Sequence, residues 1–171
     1  MIRSIVLSLA LVLGSSLVAQ ADIWQFNVNL SGAQEVPPNG STATGFATAF
    51  FNDATGGLSI SGTFTGLTAN ASAAHLHGFA PAGANASVLI TLTATAATSG
   101  TVSGSGSIAN VGSNFTDTLG GQTYINIHNS SFPGGEIRGQ MINPFAVPEP
   151  GAMVLLSLGG MLAFVRRNRK V

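Results

Sequence analysis

Trp24-Gln25-Phe26-Asn27-Val28-Asn29-Leu30-Ser31 reads WQFNVNLS, four apolar side chains alternating with four polar ones. Successive side chains on an extended backbone point to opposite sides, so this period of two predicts a strand with one face buried. The same period returns along the chain. ATGFATAFFN (Ala43–Asn52) is rich in Thr and Phe and runs into Asn52-Asp53-Ala54-Thr55-Gly56-Gly57, a turn composition. Leu58–Gly66 puts Leu58, Ile60, Gly62 and Phe64 on one face, and Ser87–Ala94 is expected to bury Val88, Ile90 and Leu92. Thr101–Ala109 alternates Val102, Gly104, Gly106 and Ile108 with hydroxyl residues. Short strands at Ala74–Phe79, Thr123–Asn129 and Glu136–Ile142 bring the total to about eight, and Ser113–Leu119 reads as one short helical turn. With Gly, Asn or Pro between the segments and no long helical period, the pattern predicts an all-β antiparallel sandwich.

Charge is scarce and unevenly placed. Charged residues make up 7% of the 171 residues, against roughly 25% in ordinary soluble domains. Arg3, Arg166, Arg167, Arg169 and Lys170 lie near the two ends. The region between carries Arg138 against Asp22, Glu35, Asp53, Asp117 and Glu136, a balance of −4 with neutral histidines. Phosphate recognition needs clustered Lys or Arg, so a nucleic-acid partner is excluded. Without cysteine there are no disulfides, thiolate metal sites or cysteine nucleophiles.

The flanks read as targeting segments, two short apolar helices bracketing one domain. Residues 1–21, MIRSIVLSLALVLGSSLVAQA, have a basic start at Arg3, an apolar run from Ile5 to Leu13 and a small-x-small cleavage site at Ala19 and Ala21. That order is a secretory signal peptide, to be removed by signal peptidase. Residues 144–171 hold Val147-Pro148-Glu149-Pro150-Gly151, then AMVLLSLGGMLAFV, then RRNRK. Gly151–Val165 would extend about 22 Å as a helix, against roughly 30 Å of hydrocarbon. Arg and Lys after it would stay cytoplasmic, so both flanks agree that residues 22–143 are exported. Pro-Glu-Pro, apolar helix and basic tail together resemble the PEP-CTERM sorting signal of Gram-negative bacteria. The resemblance implies recognition by an exosortase-type enzyme at Pro148-Glu149-Pro150, with membrane anchoring before processing. It also implies delivery to the cell surface or matrix, where exopolysaccharide and other envelope components are the expected company.

Three histidines stand out in this nearly uncharged chain. AAHLHGFAPAG (Ala73–Gly83) carries His75 and His77, two apart and therefore on one strand face, with Leu76 turned to the core. In YINIHN (Tyr124–Asn129), Ile125 and Ile127 point inward, while Tyr124, Asn126 and His128 point outward. If the two strands are neighbours, His75, His77 and His128 converge, and three imidazoles suit one Zn²⁺ or Cu²⁺ ion. The alternative is a polar network in which each ring bonds backbone, Asn126 or a carboxylate and so holds the loop Gly78–Gly83. Glu136 and Arg138 share a strand face; they read as a structural pair anchoring the last strand or as carboxylate support behind a histidine. Gly134, Gly135 and Gly139 read as a tight turn and a close backbone approach. Glu35-Val36-Pro37-Pro38 reads as an edge or turn segment.

Other chemistries lack their residues. Glu35 and Glu136 are isolated in sequence, so they make no case for a glycosidase pair. No Gly-x-Ser-x-Gly elbow or phosphate loop sits in a strand–helix context. An enzyme is the less favoured class.

LSGAQEVPP (Leu30–Pro38), AAHLHGFAPAG and YINIHNSSFPGGEIRGQ (Tyr124–Gln140) resemble, in order and spacing, the CHRD domain of exported proteins. The resemblance implies an immunoglobulin-like extracellular module and carries no reaction. His-x-His on a strand is also similar to copper–zinc superoxide dismutases, whose β-sandwich is the other architecture expected here. Their paired metals need further histidines, and this chain has three, which leaves room for one mononuclear site. Two functions follow from these readings: a non-enzymatic structural or binding module of the envelope, or a mononuclear copper or zinc protein with weak redox activity.

Overall fold

The computed structural model describes residues 22–108 and 113–147. Among them nine strands form one antiparallel sheet: β1 (Ile23–Ser31), β2 (Thr44–Asn52), β3 (Gly57–Thr65), β4 (Ala71–Gly78), β5 (Val88–Ala94), β6 (Gly100–Ser107), β7 (Thr123–Asn129), β8 (Ile137–Gln140) and β9 (Phe145–Val147). A 3₁₀ turn, Gly32–Gln34, follows β1, and a short helix α1, Ser113–Leu119, precedes β7.

The sheet runs β2-β3-β6-β5-β4-β7-β8-β1 and returns from β1 to β2, so eight strands close into a barrel. The expectation of two separate sheets gives way to this closure. Its seams are short: β1 meets β8 at Ser31↔Arg138, and β5 meets β6 at Thr93↔Ser103 and Ala94↔Val102. Closure leaves no long open edge, which removes the usual route to edge-to-edge aggregation. The ninth strand, β9, pairs with β1 from Ile23↔Val147 to Gln25↔Phe145. It lies beyond Asn143, within the segment read as the start of the sorting signal. The two apolar targeting segments lie outside the described residues. Among the described residues, no helix is long and apolar enough to cross a membrane.

The period-two faces become the barrel interior. Phe26, Val28 and Leu30 of β1 pack with Ala47, Ala49 and Phe51 of β2, and Leu76 of β4 packs with Ile125 and Ile127 of β7, all 2% exposed or less. Gly104 leaves room inside for Leu92, because a Cβ there would lie 2.6 Å from Leu92 Cδ2. One expected core residue is misplaced: Val88 is 47% exposed. A register shift between Leu76 and His77 pairs Leu76 with Ile90 but His77 with Val88. The bulge turns Val88 to the outer face, because one extra residue inverts side-chain direction.

Candidate metal centre

The outer face of β4, β7 and β8 is not open to solvent. Three loop segments lie over it: residues 32–43, 79–87 and 130–136. Beneath them Tyr124, Asn126, Arg138 and Gln140 are each 7% exposed or less, although all point away from the barrel core. A second, polar layer is therefore buried between sheet and loops, and it must satisfy its own hydrogen bonds.

The three histidines lie in this layer, half-buried. Register places His77 opposite Tyr124, His75 opposite Asn126 and Ala73 opposite His128. His75 and His128 are therefore diagonal neighbours, within reach of long side chains. Ring centroids are 4.9 Å apart for His75–His128, 5.5 Å for His75–His77 and 6.2 Å for His77–His128. Each ring offers a nitrogen, and these three nitrogens lie within 4.8 Å of one another.

The protons can be assigned from the partners. His77 Nδ1 is 3.0 Å from the Ala86 carbonyl, and His128 Nδ1 is 2.9 Å from the Pro133 carbonyl. A carbonyl only accepts, so both Nδ1 atoms donate and both Nε2 atoms of the neutral rings carry lone pairs. His128 Nε2 accepts from His75 Nδ1 at 3.0 Å. His77 Nε2 is buried and has no hydrogen-bond partner among the described residues. Burial holds His77 below the ordinary imidazole value; the Ala86 carbonyl opposes this, while the neighbouring imidazoles and Arg138 add to it. Burial lowers His128 likewise, against the Pro133 carbonyl. Both shifts favour the neutral, ligating form.

The donor set fits one ion. Nitrogens bound at about 2 Å in tetrahedral geometry sit roughly 3.3 Å apart, close to the His75–His128 separation. The widest separation, up to 4.8 Å, exceeds the span of two bonds of about 2 Å, so the rings would have to close in around an ion. An ion held here would replace the His75–His128 hydrogen bond, with His75 carrying its proton on Nε2 instead.

Glu136 and Arg138 do not pair with each other. Glu136 is fully buried and accepts from Thr68 N–H at 3.0 and 3.1 Å, from the Thr68 hydroxyl at 3.1 Å, from the Ser41 hydroxyl at 2.6 Å and from the Asn129 amide. Arg138 donates to the Ala84 carbonyl, Asn85 Oδ1 and Gln140 Oε1. Its guanidinium carbon lies 3.4 Å from the Tyr124 ring centroid. The register explains the split. Glu136 precedes β8, where its N–H donates to the Ile127 carbonyl, and its carboxylate gathers three chain segments; Arg138 enters the layer under residues 84–86.

Glu35, read as part of an edge or turn, is drawn into the same layer. Its oxygens accept from Asn126 Nδ2 at 3.0 and 3.2 Å. Gly135, with φ +128°, allows this approach, since a Cβ there would collide with the Asn126 amide and lie 2.6 Å from Glu35 Oε1. Gly139 likewise lets β1 approach, whereas Gly134 has open space around it. No local signal marks Glu35, because its partner is 91 residues away. Tyr124 and Asn126 could be read as outward-facing, but not as buried.

Burial raises Glu35 from 4.5 to about 7, against the pull of Arg138 and the Asn126 amide. The native chain then keeps a proton that the unfolded chain releases, so this group's contribution to stability falls as pH rises from about 4.5 to about 7. Glu35→Gln should remove that loss. Urea midpoints of the two proteins should diverge across the window; parallel profiles would refute the assignment.

A family model for the CHRD domain matches residues 26–141. The chain belongs to the CHRD-domain family. A second model, the PEP-CTERM protein-sorting motif, matches residues 146–170. No curated protein and no solved structure matches the chain. The CHRD match spans β1 to β8, and so contains all three histidines and the loops over them. The sorting motif implies processing by an exosortase-type enzyme and marks this CHRD protein as exported and directed to the cell surface.

Proposed function

We propose that this CHRD protein is a surface-delivered, non-enzymatic binding module that holds one zinc or copper ion through His75, His77 and His128. The observation that carries the reading is the buried Nε2 of His77, without a hydrogen-bond partner among the described residues, beside two further imidazole nitrogens. A buried acceptor without a partner costs about 1–3 kcal/mol, and an ion would supply the missing bond. The two short seams of the barrel support reading it as a superoxide-dismutase-like sandwich. The C-terminal segment would anchor the chain in the membrane of a Gram-negative cell until an exosortase-type enzyme acts, after which the domain would stand among exopolysaccharide and other envelope components.

Titration of the purified full-length chain in mild detergent with Zn²⁺ and Cu²⁺ tests the reading. One equivalent should bind tighter than about 10 μM, roughly −7 kcal/mol. Absence of binding at that level overturns it. The second reading is then favoured, in which the 3.0 Å His75–His128 hydrogen bond closes a purely structural network.

A further inference from the structure

We infer that Tyr124 and Arg138 are the positioning layer of the three-histidine centre, holding His77 as the Nδ1–H tautomer so that Nε2 is the nitrogen it offers. The inference rests on the metal-binding reading and deepens it.

Tyr124 is the middle member of a stack. Its ring is parallel to that of His77, with an interplanar angle of 2° and centroids 4.8 Å apart. Arg138 reaches the same ring from β8, the strand on the other side of β7. Stacking alone would fix the plane of His77 but not its proton. The proton is set at Ala86. Tyr124 Oη accepts from Ala86 N–H at 3.0 Å and lies 3.4 Å from the Ala86 carbonyl, to which it donates. That carbonyl is the acceptor for His77 Nδ1. Arg138 fastens the residues just before it, donating to the Ala84 carbonyl at 2.9 Å and to Asn85 Oδ1 at 3.3 Å. Tyrosine and arginine thus hold one short loop segment, and the loop holds the histidine proton. A ligating imidazole commonly has its second nitrogen held by such a partner, and loss of the partner typically costs 10–100-fold in affinity.

Tyr124→Phe keeps the ring and removes the oxygen. Zn²⁺ affinity of the full-length chain should fall about tenfold, while the metal-free thermal midpoint changes little. Imidazole ¹⁵N shifts provide a readout that a merely structural role would not move. In the metal-free wild type, His77 should show a protonated Nδ1 and a lone pair on Nε2; in Tyr124→Phe the two tautomers should mix. An unchanged tautomer together with wild-type affinity overturns the inference, as does a wild type in which His77 carries its proton on Nε2. If the wild type binds no metal but the tautomer shifts as described, the binding reading fails and the positioning role stands.

Discussion

Replacing His128 with alanine is expected to weaken Zn²⁺ or Cu²⁺ binding at least 100-fold, about 2.7 kcal/mol, and to leave the barrel folded. His128 sits on the rim of the polar layer, half-buried, with its carbonyl partner Pro133 in an adjacent loop. Its removal costs the fold two hydrogen bonds, to His75 and to Pro133, worth about 1 kcal/mol each. The expected signature is therefore a large loss in affinity and a small loss in metal-free stability. Wild-type affinity in His128→Ala would exclude the three-histidine centre. His75→Ala and His77→Ala should follow the same pattern, because each ring contributes one nitrogen to the cluster.

The largest effect on stability is expected at Glu136. Its carboxylate is fully buried and serves donors from three segments: Ser41 in the loop after β1, Thr68 between β3 and β4, and Asn129 at the end of β7. Glu136→Ala leaves these donors facing a void, and each buried unsatisfied group costs about 1–3 kcal/mol. Losing the acceptor should destabilise the barrel by about 3–5 kcal/mol, comparable with breaking a buried ion pair and a large fraction of a domain's stability. Glu136→Gln should also be costly, because its amide nitrogen meets donors where an oxygen accepted. Urea unfolding measures both, and a loss below about 1 kcal/mol would show that water replaces the carboxylate. Metal affinity should change far less than in His128→Ala, since Glu136 touches none of the three histidines. The two substitutions thus separate holding the fold from holding an ion.

Strand positions were legible because side-chain alternation is a property of a single extended backbone. WQFNVNLS reads as β1 without reference to any other segment, and the same rule puts His75 with His77 and His128 with Tyr124. Gly104 and Gly106 on the inner face were legible for the same reason. Val88 was not, because a bulge is a relation between two strands, here Leu76 and His77 against Ile90 and Val88. Nor was the separation of Glu136 from Arg138: spacing puts both on one face but does not say that Glu136 lies just before the paired strand.

By itself the sequence determined the all-β class, the inward faces and the shared face of each histidine group, since these follow from a local period of two. It also carried the sorting signal, which is recognised as linear sequence. Only the tertiary structure decided that the sheet closes on itself, that loops bury the outer face of β4, β7 and β8, and that Glu35 and Gly135 meet at Asn126. Those outcomes depend on contacts between residues up to about a hundred positions apart. Whether an outward side chain meets water or a loop is settled by where the rest of the chain goes, and for His77 that path supplies the Ala86 carbonyl that leaves its Nε2 lone pair free.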